Sequence, residues 1–166
     1  MRYFEYYNSP LGPITLVSDE TALVAVMFYH QRYYEKVLGV ECERKITAPI
    51  EKGIQWLDLY FSGKEPDFLP PLRLEGTSFR RRVWELLMKI PYGSVTTYGE
   101  LARQMAEEKG IERMSAQAIG GAVAHNPIAI MIPCHRVVGN NGALTGYAAG
   151  VQKKTALLNL EKGQLP

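Results

Sequence analysis

The sequence predicts an α+β protein, in which a small N-terminal lobe with an antiparallel sheet precedes a helical C-terminal lobe carrying a winged or helix-turn-helix motif. Three observations support this prediction. The chain has 166 residues, which suffices for one domain or two small lobes. Residues 62–76 contain three prolines and two glycines, as a linker would. Short β-branched and aromatic segments precede this linker, and helical periodicity follows it.

The first lobe, residues 1–76, is expected to be structural. Turn-forming residues at 8–13 and 19–20 separate three segments with strand composition, so a small antiparallel meander is predicted at residues 2–7, 14–18 and 23–28. An amphipathic helix follows and ends at Gly63. Its apolar positions have helical spacing: Ile50, Ile54, Leu57 and Phe61.

The second lobe, residues 77–166, is predicted to begin with a helix. Thr77 or Ser78 can cap its N-terminus. Apolar positions continue to Ile90, after which the sequence Pro-Tyr-Gly is expected to end the helix.

Two further capped helices are predicted next. A capping box of Thr97 and Glu100 opens the first, which runs to about Met105. A polar connector at 107–113 leads to Ser115, which caps the second helix. Two short helices joined in this way form a helix-turn-helix, whose second helix often enters a DNA groove, although many other helical proteins contain such a pair.

The second helix of this pair has little side-chain bulk. Its sequence is SAQAIGGAVAHN, with Gly120 and Gly121 in the interior. Each interior glycine costs a helix about 1 kcal/mol relative to alanine. A surface without bulk admits the close approach of a nucleic-acid strand or of another helix, and the sequence leaves both alternatives open.

The formal net charge of +2 conceals an uneven distribution. Residues 1–76 contain eight Lys and Arg against eleven Asp and Glu, a net charge of −3. Residues 77–166 contain eleven against six, a net charge of +5. This asymmetry suggests a nucleic-acid partner for the second lobe, and uneven scatter over a near-neutral protein explains it equally well.

Composition excludes several classes of protein. No run of about 18 apolar residues is present, so no membrane-spanning helix is expected. The N-terminal sequence MRYFEYYNSP lacks the features of a signal peptide, so the chain is expected in the cytoplasm, or in the nucleus of a eukaryote. Two cysteines, Cys42 and Cys134, cannot form a four-thiolate zinc site, and a disulfide between them is not expected in a reducing compartment.

Cys134 is a candidate nucleophile, since it follows the apolar run 128–132 and precedes His135 and Arg136. A free thiol is only about 3% ionised at pH 7, so activation requires a base or positive surroundings. Neighbouring side chains of an extended backbone point to opposite faces, so His135 could assist only through a water molecule or after an unusual turn at Pro133. An inert buried thiol is the alternative.

Glu161 lies in the last turn of the final predicted helix, residues 151–162. A carboxylate there opposes the helix dipole by a few tenths of a kcal/mol. It could instead orient His135 as the third member of a Cys–His–acid relay, or it could be an ordinary surface glutamate. Before this helix lie a tight turn at 139–142 and a loop of small residues at 144–150, which could line a pocket.

These residues resemble the O6-alkylguanine-DNA alkyltransferases, also called methylated-DNA–protein-cysteine methyltransferases. The resemblance covers essentially all of residues 77–166, and the first lobe matches in general layout only. The motifs that carry it are FRRRVW at 79–84, YGELA at 98–102, NPI at 126–128, IPCHRVV at 132–138, LTGY at 144–147, the pair Leu157-Leu158, and Glu161.

The resemblance implies DNA repair by direct, single-turnover transfer of the alkyl group from O6-alkylguanine to Cys134, and it leaves O4-alkylthymine open as a second substrate. The helix-turn-helix would bind double-stranded DNA through the minor groove, and the damaged base would be flipped into the pocket. The protein would act as a monomer, without a cofactor. A non-catalytic helix-turn-helix protein that binds alkylated DNA, and a thiol hydrolase, are the alternatives.

Site residues follow from the resemblance by position. His135 would act as a base through water, Glu161 would orient it, and Asn126 would support the active-site turn. Tyr98 would donate a hydrogen bond to the leaving guanine and help rotate the target phosphate, and Arg136 would brace the structure or a phosphate. The implied DNA- or base-binding residues are Tyr98, Ser115, Ala116, Gln117, Gly120, Arg136, Val137, Tyr147 and Ala148.

Two features depart from the family pattern, and a third observation concerns metal binding. Gln117 replaces the arginine that usually inserts into the base stack, so weaker flipping or affinity is expected. The segment 106–113 is longer than in many members. Some members bind zinc through N-terminal Cys and His residues, and with only Cys42 and His30 there, no metal site is predicted.

Overall fold

The computed structural model describes residues 1–29, 31 and 41–164. A four-stranded sheet in the order β3-β2-β1-β4 forms the centre of the N-terminal lobe. Its strands are β1 (Arg2–Ser9), β2 (Gly12–Ser18), β3 (Leu23–Phe28) and β4 (Cys42–Arg44).

The first three strands form the predicted antiparallel meander, whereas β4 pairs in parallel with β1. The sheet is therefore mixed, and the prediction of an antiparallel sheet is wrong for this edge. Tight turns such as the one between β1 and β2 can join only antiparallel neighbours. Residues 29–41 separate β3 from β4, and a connection of this length allows the chain to reach the opposite edge.

Helix α1 (Ala48–Phe61) packs on the sheet. The Thr47 hydroxyl caps it by accepting a hydrogen bond from the Ile50 amide. The helix lies so close to the sheet that a Cβ atom on Gly53 would approach Leu16 Cδ2 to 2.6 Å. It ends before Gly63, which has a φ of 89°, as predicted.

The predicted linker at 62–76 is bound to the sheet. The Leu23 amide donates to the Pro71 carbonyl, and the Arg73 amide donates to the Leu23 carbonyl, both at 2.8 Å. On the same strand, the Val26 amide donates to the Pro127 carbonyl at 2.9 Å. Strand β3 therefore contacts both the linker and the segment that leads to Cys134.

The second lobe contains most of the helices. Its elements are α2 (Ser78–Leu87), β5 (Thr96–Thr97), α3 (Tyr98–Lys109), α4 (Ala116–Ala124), β6 (Val137–Val138) and α5 (Val151–Glu161). Helix α2 ends before Ile90, because a residue that precedes a proline is disfavoured in helical conformation. Helix α3 continues past Met105 to Lys109, because Gly110 supplies a left-handed C-cap with a φ of 66°.

The helix-turn-helix consists of α3 and α4. The Thr97 hydroxyl accepts from the Glu100 amide at 3.0 Å, whereas the Glu100 carboxylate accepts from Arg103. Ser115 caps α4 as predicted, by accepting from the amides of Gln117 and Ala118. Beside this motif β5 and β6 pair in parallel, unlike the antiparallel hairpin of a typical wing.

Within the described ranges, none of the helices is long and apolar enough to cross a membrane.

Candidate active site

The segment before Cys134 is buried as predicted, but its backbone turns sharply. The Met131 amide donates to the Ala129 carbonyl at 2.8 Å, which closes a three-residue turn around Ile130. Ile130 has a φ of 71°, a strained conformation for a β-branched residue. Its side chain is only 1% exposed, so packing of the surrounding core maintains the strain.

A second turn positions Cys134 itself. Pro133 has φ −81° and ψ 64°, and the Cys134 amide donates to the Ile132 carbonyl at 2.8 Å. Residues Cys134–Arg136 then form a single 3-10 turn. The unusual turn after Pro133 is therefore present, and Cys134 and His135 are not separated by the alternation of an extended strand.

Asn126 links both ends of this segment. Its Nδ2 donates to the Ile132 carbonyl at 2.8 Å, and its Oδ1 accepts from the Ile128 amide at 2.9 Å. Asn126 is itself buried. The side chain thus bridges the strained turn that precedes Cys134.

Glu161 lies at the centre of a buried polar cluster. Its Oε2 lies 2.6 Å from His135 Nε2, and its Oε1 accepts from Arg136 Nε at 2.8 Å. The same carboxylate also accepts from the Tyr60 hydroxyl and the Gly93 amide. Burial would raise the pKa of Glu161, but hydrogen bonds from His135 and Arg136 overcome it and lower the pKa to about 2. The alternative of an ordinary surface glutamate is excluded.

His135 is fully buried and suited to accept a proton. Burial lowers its pKa below the ordinary range, although Glu161 acts in the opposite direction. Because an ionised carboxylate only accepts hydrogen bonds, Nε2 of the neutral ring carries the proton and Nδ1 carries the lone pair. Nδ1 has no hydrogen-bond partner among the described residues.

Cys134 lines a cavity of about 180 Å³. Its side chain is buried, and burial raises the pKa of the thiol. The Asn126 amide, the Lys154 ammonium and the neighbouring Tyr147 hydroxyl act against that rise. The thiol is thus protonated at rest, and these three polar groups offset part of the penalty that burial places on its ionisation.

Lys154 was missed by the sequence analysis. It is 0% exposed, and its Nζ donates to the carbonyls of Thr145 and Gly146 at 2.9 and 3.1 Å. Burial lowers its pKa, and Cys134 acts in the opposite direction. A signal was available, because Lys154 precedes Leu157 and Leu158 by one helical turn and therefore lies on the apolar face of α5.

Five predicted site residues meet at the cavity. They are Tyr98, Gly120, Cys134, Tyr147 and Ala148, and the lining is completed by Val123, Ala124 and Gly146. Three other predicted contacts, Ser115, Ala116 and Gln117, lie exposed at the start of α4. Val137 is buried in β6 and does not line the cavity.

Arg136 does not have the position predicted for a DNA contact. It is buried, with Nε and Nη2 on Glu161 and Nη1 donating to the Ile90 carbonyl at 2.8 Å. The guanidinium thus makes three hydrogen bonds inside the protein, two of them to Glu161 at the end of α5. Of its two expected roles, only the structural one is compatible with this placement.

The bare surface of α4 is open. A Cβ atom added to Gly120 or Gly121 would meet no other atom within 4 Å. Tight packing against another helix is therefore not the reason for these glycines. This open surface is compatible with the other alternative, the close approach of a ligand.

Of the two N-terminal residues considered for metal binding, the structure describes only one. Cys42 is a free thiol in β4, and His30 lies outside the described residues. In the ranges that the structure covers, no cluster of three or more His, Cys, Asp or Glu side chains could hold a metal ion.

The fold and the site define a protein in which a helix-turn-helix adjoins a cavity with a buried cysteine and a buried His–Glu pair. The family model for the DNA binding domain of 6-O-methylguanine DNA methyltransferase matches residues 78–163, and the model for its ribonuclease-like domain matches residues 2–74. The chain belongs to the O6-methylguanine DNA methyltransferase family.

Relatives match the chain over its full length. The methylated-DNA–protein-cysteine methyltransferase of Mycobacterium tuberculosis is 39% identical, over 100% of this chain and 96% of its own. That of Haemophilus influenzae is 36% identical, over 96% of this chain and 86% of its own. The crystal structure of Mycobacterium tuberculosis OGT in complex with DNA has a TM-score of 0.86 at 37% identity and covers 99% of this chain and 95% of its own.

The resemblance and the α+β fold class inferred from the sequence are thereby confirmed. As a member of this family, the chain is a DNA-binding methyltransferase that repairs alkyl damage in DNA. Membership of this family argues against the two alternative functions, a non-catalytic DNA-binding protein and a thiol hydrolase.

Proposed function

We propose that Cys134 accepts the alkyl group of O6-alkylguanine in one displacement step. The thiolate Sγ attacks the alkyl carbon, the bond from that carbon to O6 breaks, and its electron pair returns to the guanine. The product is a thioether on Cys134, which is not readily cleaved, so each molecule reacts once. The observation that carries this proposal is the location of Cys134 in the cavity beside the buried His135–Glu161 pair.

His135 acts as the base for this step. Its Nδ1 lone pair takes the thiol proton through one water molecule, and Glu161 stabilises the imidazolium that forms. Two observations support this role: Nδ1 has no partner in the described residues, and the Glu161 carboxylate is 2.6 Å from Nε2. Asn126 supports the backbone turn that presents Cys134.

Tyr98 and the loop of Tyr147 and Ala148 form the base pocket. These three residues line the cavity together with Cys134. Among the described residues, the Tyr98 hydroxyl makes a single long hydrogen bond, of 3.4 Å to the Thr145 carbonyl, so it is available to donate to the guanine as negative charge develops there. Tyr98 also helps to rotate the target phosphate.

The protein binds DNA as a monomer through the minor groove, with α4 as the inserted helix. Ser115, Ala116 and Gln117 are exposed at its start, and Gly120 leaves room for a nucleic-acid strand. A small ligand of the minor groove should therefore compete with the protein for duplex DNA. Sedimentation of the protein–DNA complex should give one protein per duplex of minimal length.

The intact mass tests the alkyl acceptor directly. After incubation with duplex DNA containing O6-methylguanine, the wild-type protein should gain one methyl group. Cys134→Ala should gain none, and Cys42→Ala, which removes the other thiol, should gain one. A wild-type protein that binds the duplex but keeps its mass would contradict the proposal. Repeating the reaction with O4-methylthymine tests the second substrate.

A further inference from the structure

The hydroxyl of Tyr60 connects the N-terminal lobe to the proposed base. Tyr60 lies near the end of α1 and is fully buried, and its hydroxyl donates to Glu161 Oε2 at 2.7 Å. We propose that Tyr60 is a positioning residue for the His135–Glu161 pair, through which the N-terminal lobe tunes alkyl transfer. This inference rests on the proposed roles of His135 and Glu161.

The donors to Glu161 outnumber its acceptor sites. Oε2 accepts from Tyr60, from His135 Nε2 at 2.6 Å and from Arg136 Nη2 at 3.1 Å, while Oε1 accepts from Arg136 Nε and the Gly93 amide. A carboxylate offers about four lone-pair sites, two on each oxygen. Tyr60 and His135 therefore share the charge of one oxygen, and each weakens the hydrogen bond of the other.

Packing fixes the Tyr60 ring. Trp56 stacks on it with a centroid distance of 5.2 Å and an interplanar angle of 9°. The edges of Phe61 and Tyr92 complete the contact, at 5.3 and 6.2 Å. Burial raises the pKa of Tyr60 well above its ordinary value, and the charge of Glu161 raises it further. The hydroxyl thus stays protonated and acts as a donor at a fixed position.

The hydroxyl has two effects on the base. It fixes the direction of the carboxylate that orients His135, and it withdraws negative charge from the oxygen that His135 contacts. In Tyr60→Phe the carboxylate charge falls more fully on His135, so the pKa of the imidazole rises. The other charged and titratable groups that face the pair are unchanged in this variant: Arg136, Lys154, Cys134, Tyr92 and Tyr147.

The test is the pH profile of single-turnover alkyl transfer from duplex DNA containing O6-methylguanine. For Tyr60→Phe we expect the maximal rate to fall about two- to tenfold, which corresponds to the loss of one hydrogen bond. We also expect the acid limb of the profile to move to higher pH by about half a unit. The matched control is Tyr7→Phe, which removes a hydroxyl that donates to Asp58 on the same helix at 2.7 Å. Its rate and profile should equal those of the wild type.

A second variant should shift the acid limb in the opposite direction, and it retains the tyrosine ring and its hydroxyl. Fluorotyrosine at position 60 is a more acidic, stronger donor, so the acid limb should move to lower pH. If Tyr60→Phe does not fold, the fluorotyrosine variant alone tests the role of Tyr60. An unshifted acid limb in the folded variants, even with reduced stability, would overturn the role of Tyr60. If the wild type itself gains no methyl group, the proposed function fails instead, so the two failures are distinguishable.

Discussion

The imidazole of His135 and the carboxylate of Glu161 form a fully buried pair, with Nε2 2.6 Å from Oε2. Neither side chain contacts solvent, and Arg136 donates to the same carboxylate from the other side. We therefore expect the pair to contribute to the stability of the fold as well as to the proposed alkyl transfer.

Stability should fall at acid pH because of this pair. The pKa of Glu161 is lowered from 4.5 to about 2, so its contribution is complete above pH 4.5 and is lost as the pH falls towards 2. That contribution amounts to roughly 3 kcal/mol. The pKa of His135 is also lowered from 6.5, so the unfolded chain takes up its proton first and stability begins to fall below that pH.

Urea unfolding across the pH range measures this dependence. Glu161→Gln has no carboxyl to titrate, so its stability should be lower at neutral pH and should lack the loss between pH 4.5 and 2. If the free energy of unfolding depended on pH in the same way in both proteins, the lowered pKa of Glu161 in the folded state would be contradicted.

Arg136→Met should destabilise the protein strongly. It removes a buried cation from Glu161, and breaking a buried pair costs about 3–5 kcal/mol. The matched control is Arg82→Met, since Arg82 bridges Glu85 and Glu108 on the surface, and its loss should be much smaller. Urea unfolding compares the two, and equal losses would be inconsistent with a buried structural role of Arg136.

Gln117→Arg should tighten the binding of duplex DNA. Gln117 is exposed in the first turn of α4, so the new guanidinium can reach the DNA, and the slope of log affinity against log salt should steepen by about one. Gln55→Arg adds the same charge on an exposed position of α1 and should leave the slope unchanged. If Gln117→Arg bound duplex DNA no more tightly than the wild type, the hypothesis that arginine at this position strengthens binding would be wrong.

Local patterns predicted the helices and their caps well. Ser115 caps α4 through hydrogen bonds to residues two and three positions away, so the information lies within one turn of chain. The turn after Pro133 is one of the two arrangements, with a bridging water as the other, that the sequence allowed for assistance by His135. The proposed nucleophile and base, Cys134 and His135, are neighbours in sequence, but this motif alone also allowed an inert thiol. The family resemblance decided between the two interpretations.

Contacts between distant segments could not be read from local patterns. Tyr60 and Glu161 are 101 positions apart, and only the packing of α1 against the second lobe brings them together. The parallel pairing of β4 and the burial of Arg136 likewise depend on how the chain crosses the sheet and on where α5 lies. The left-handed conformation of Ile130 contradicts its own backbone preference, so tertiary contacts alone explain it.

Gly120→Ala and Gly121→Ala should both stabilise the protein, by about 1 kcal/mol each, because each methyl group would enter open space on a helix. Gly120 lines the cavity and Gly121 does not. Only Gly120→Ala should therefore slow the reaction with free O6-methylguanine base, which needs no DNA contact. Thermal unfolding and single-turnover rates test both parts, and equal rates for the two variants would show that the base does not pass Gly120.

Lys154→Met should raise the pKa of Cys134 and slow alkyl transfer. The ammonium is the cation that favours the thiolate, and it also binds the carbonyls of Thr145 and Gly146 in the loop that lines the cavity. An increase of one unit in the thiol pKa reduces the thiolate at neutral pH roughly tenfold. Thiolate absorbance against pH measures the pKa, and single-turnover kinetics measure the rate. The matched control is Lys153→Met, which removes the adjacent lysine over the Phe28 ring and should change neither the thiol pKa nor the transfer rate. If the thiol pKa were also unchanged in Lys154→Met, Lys154 would only support the loop.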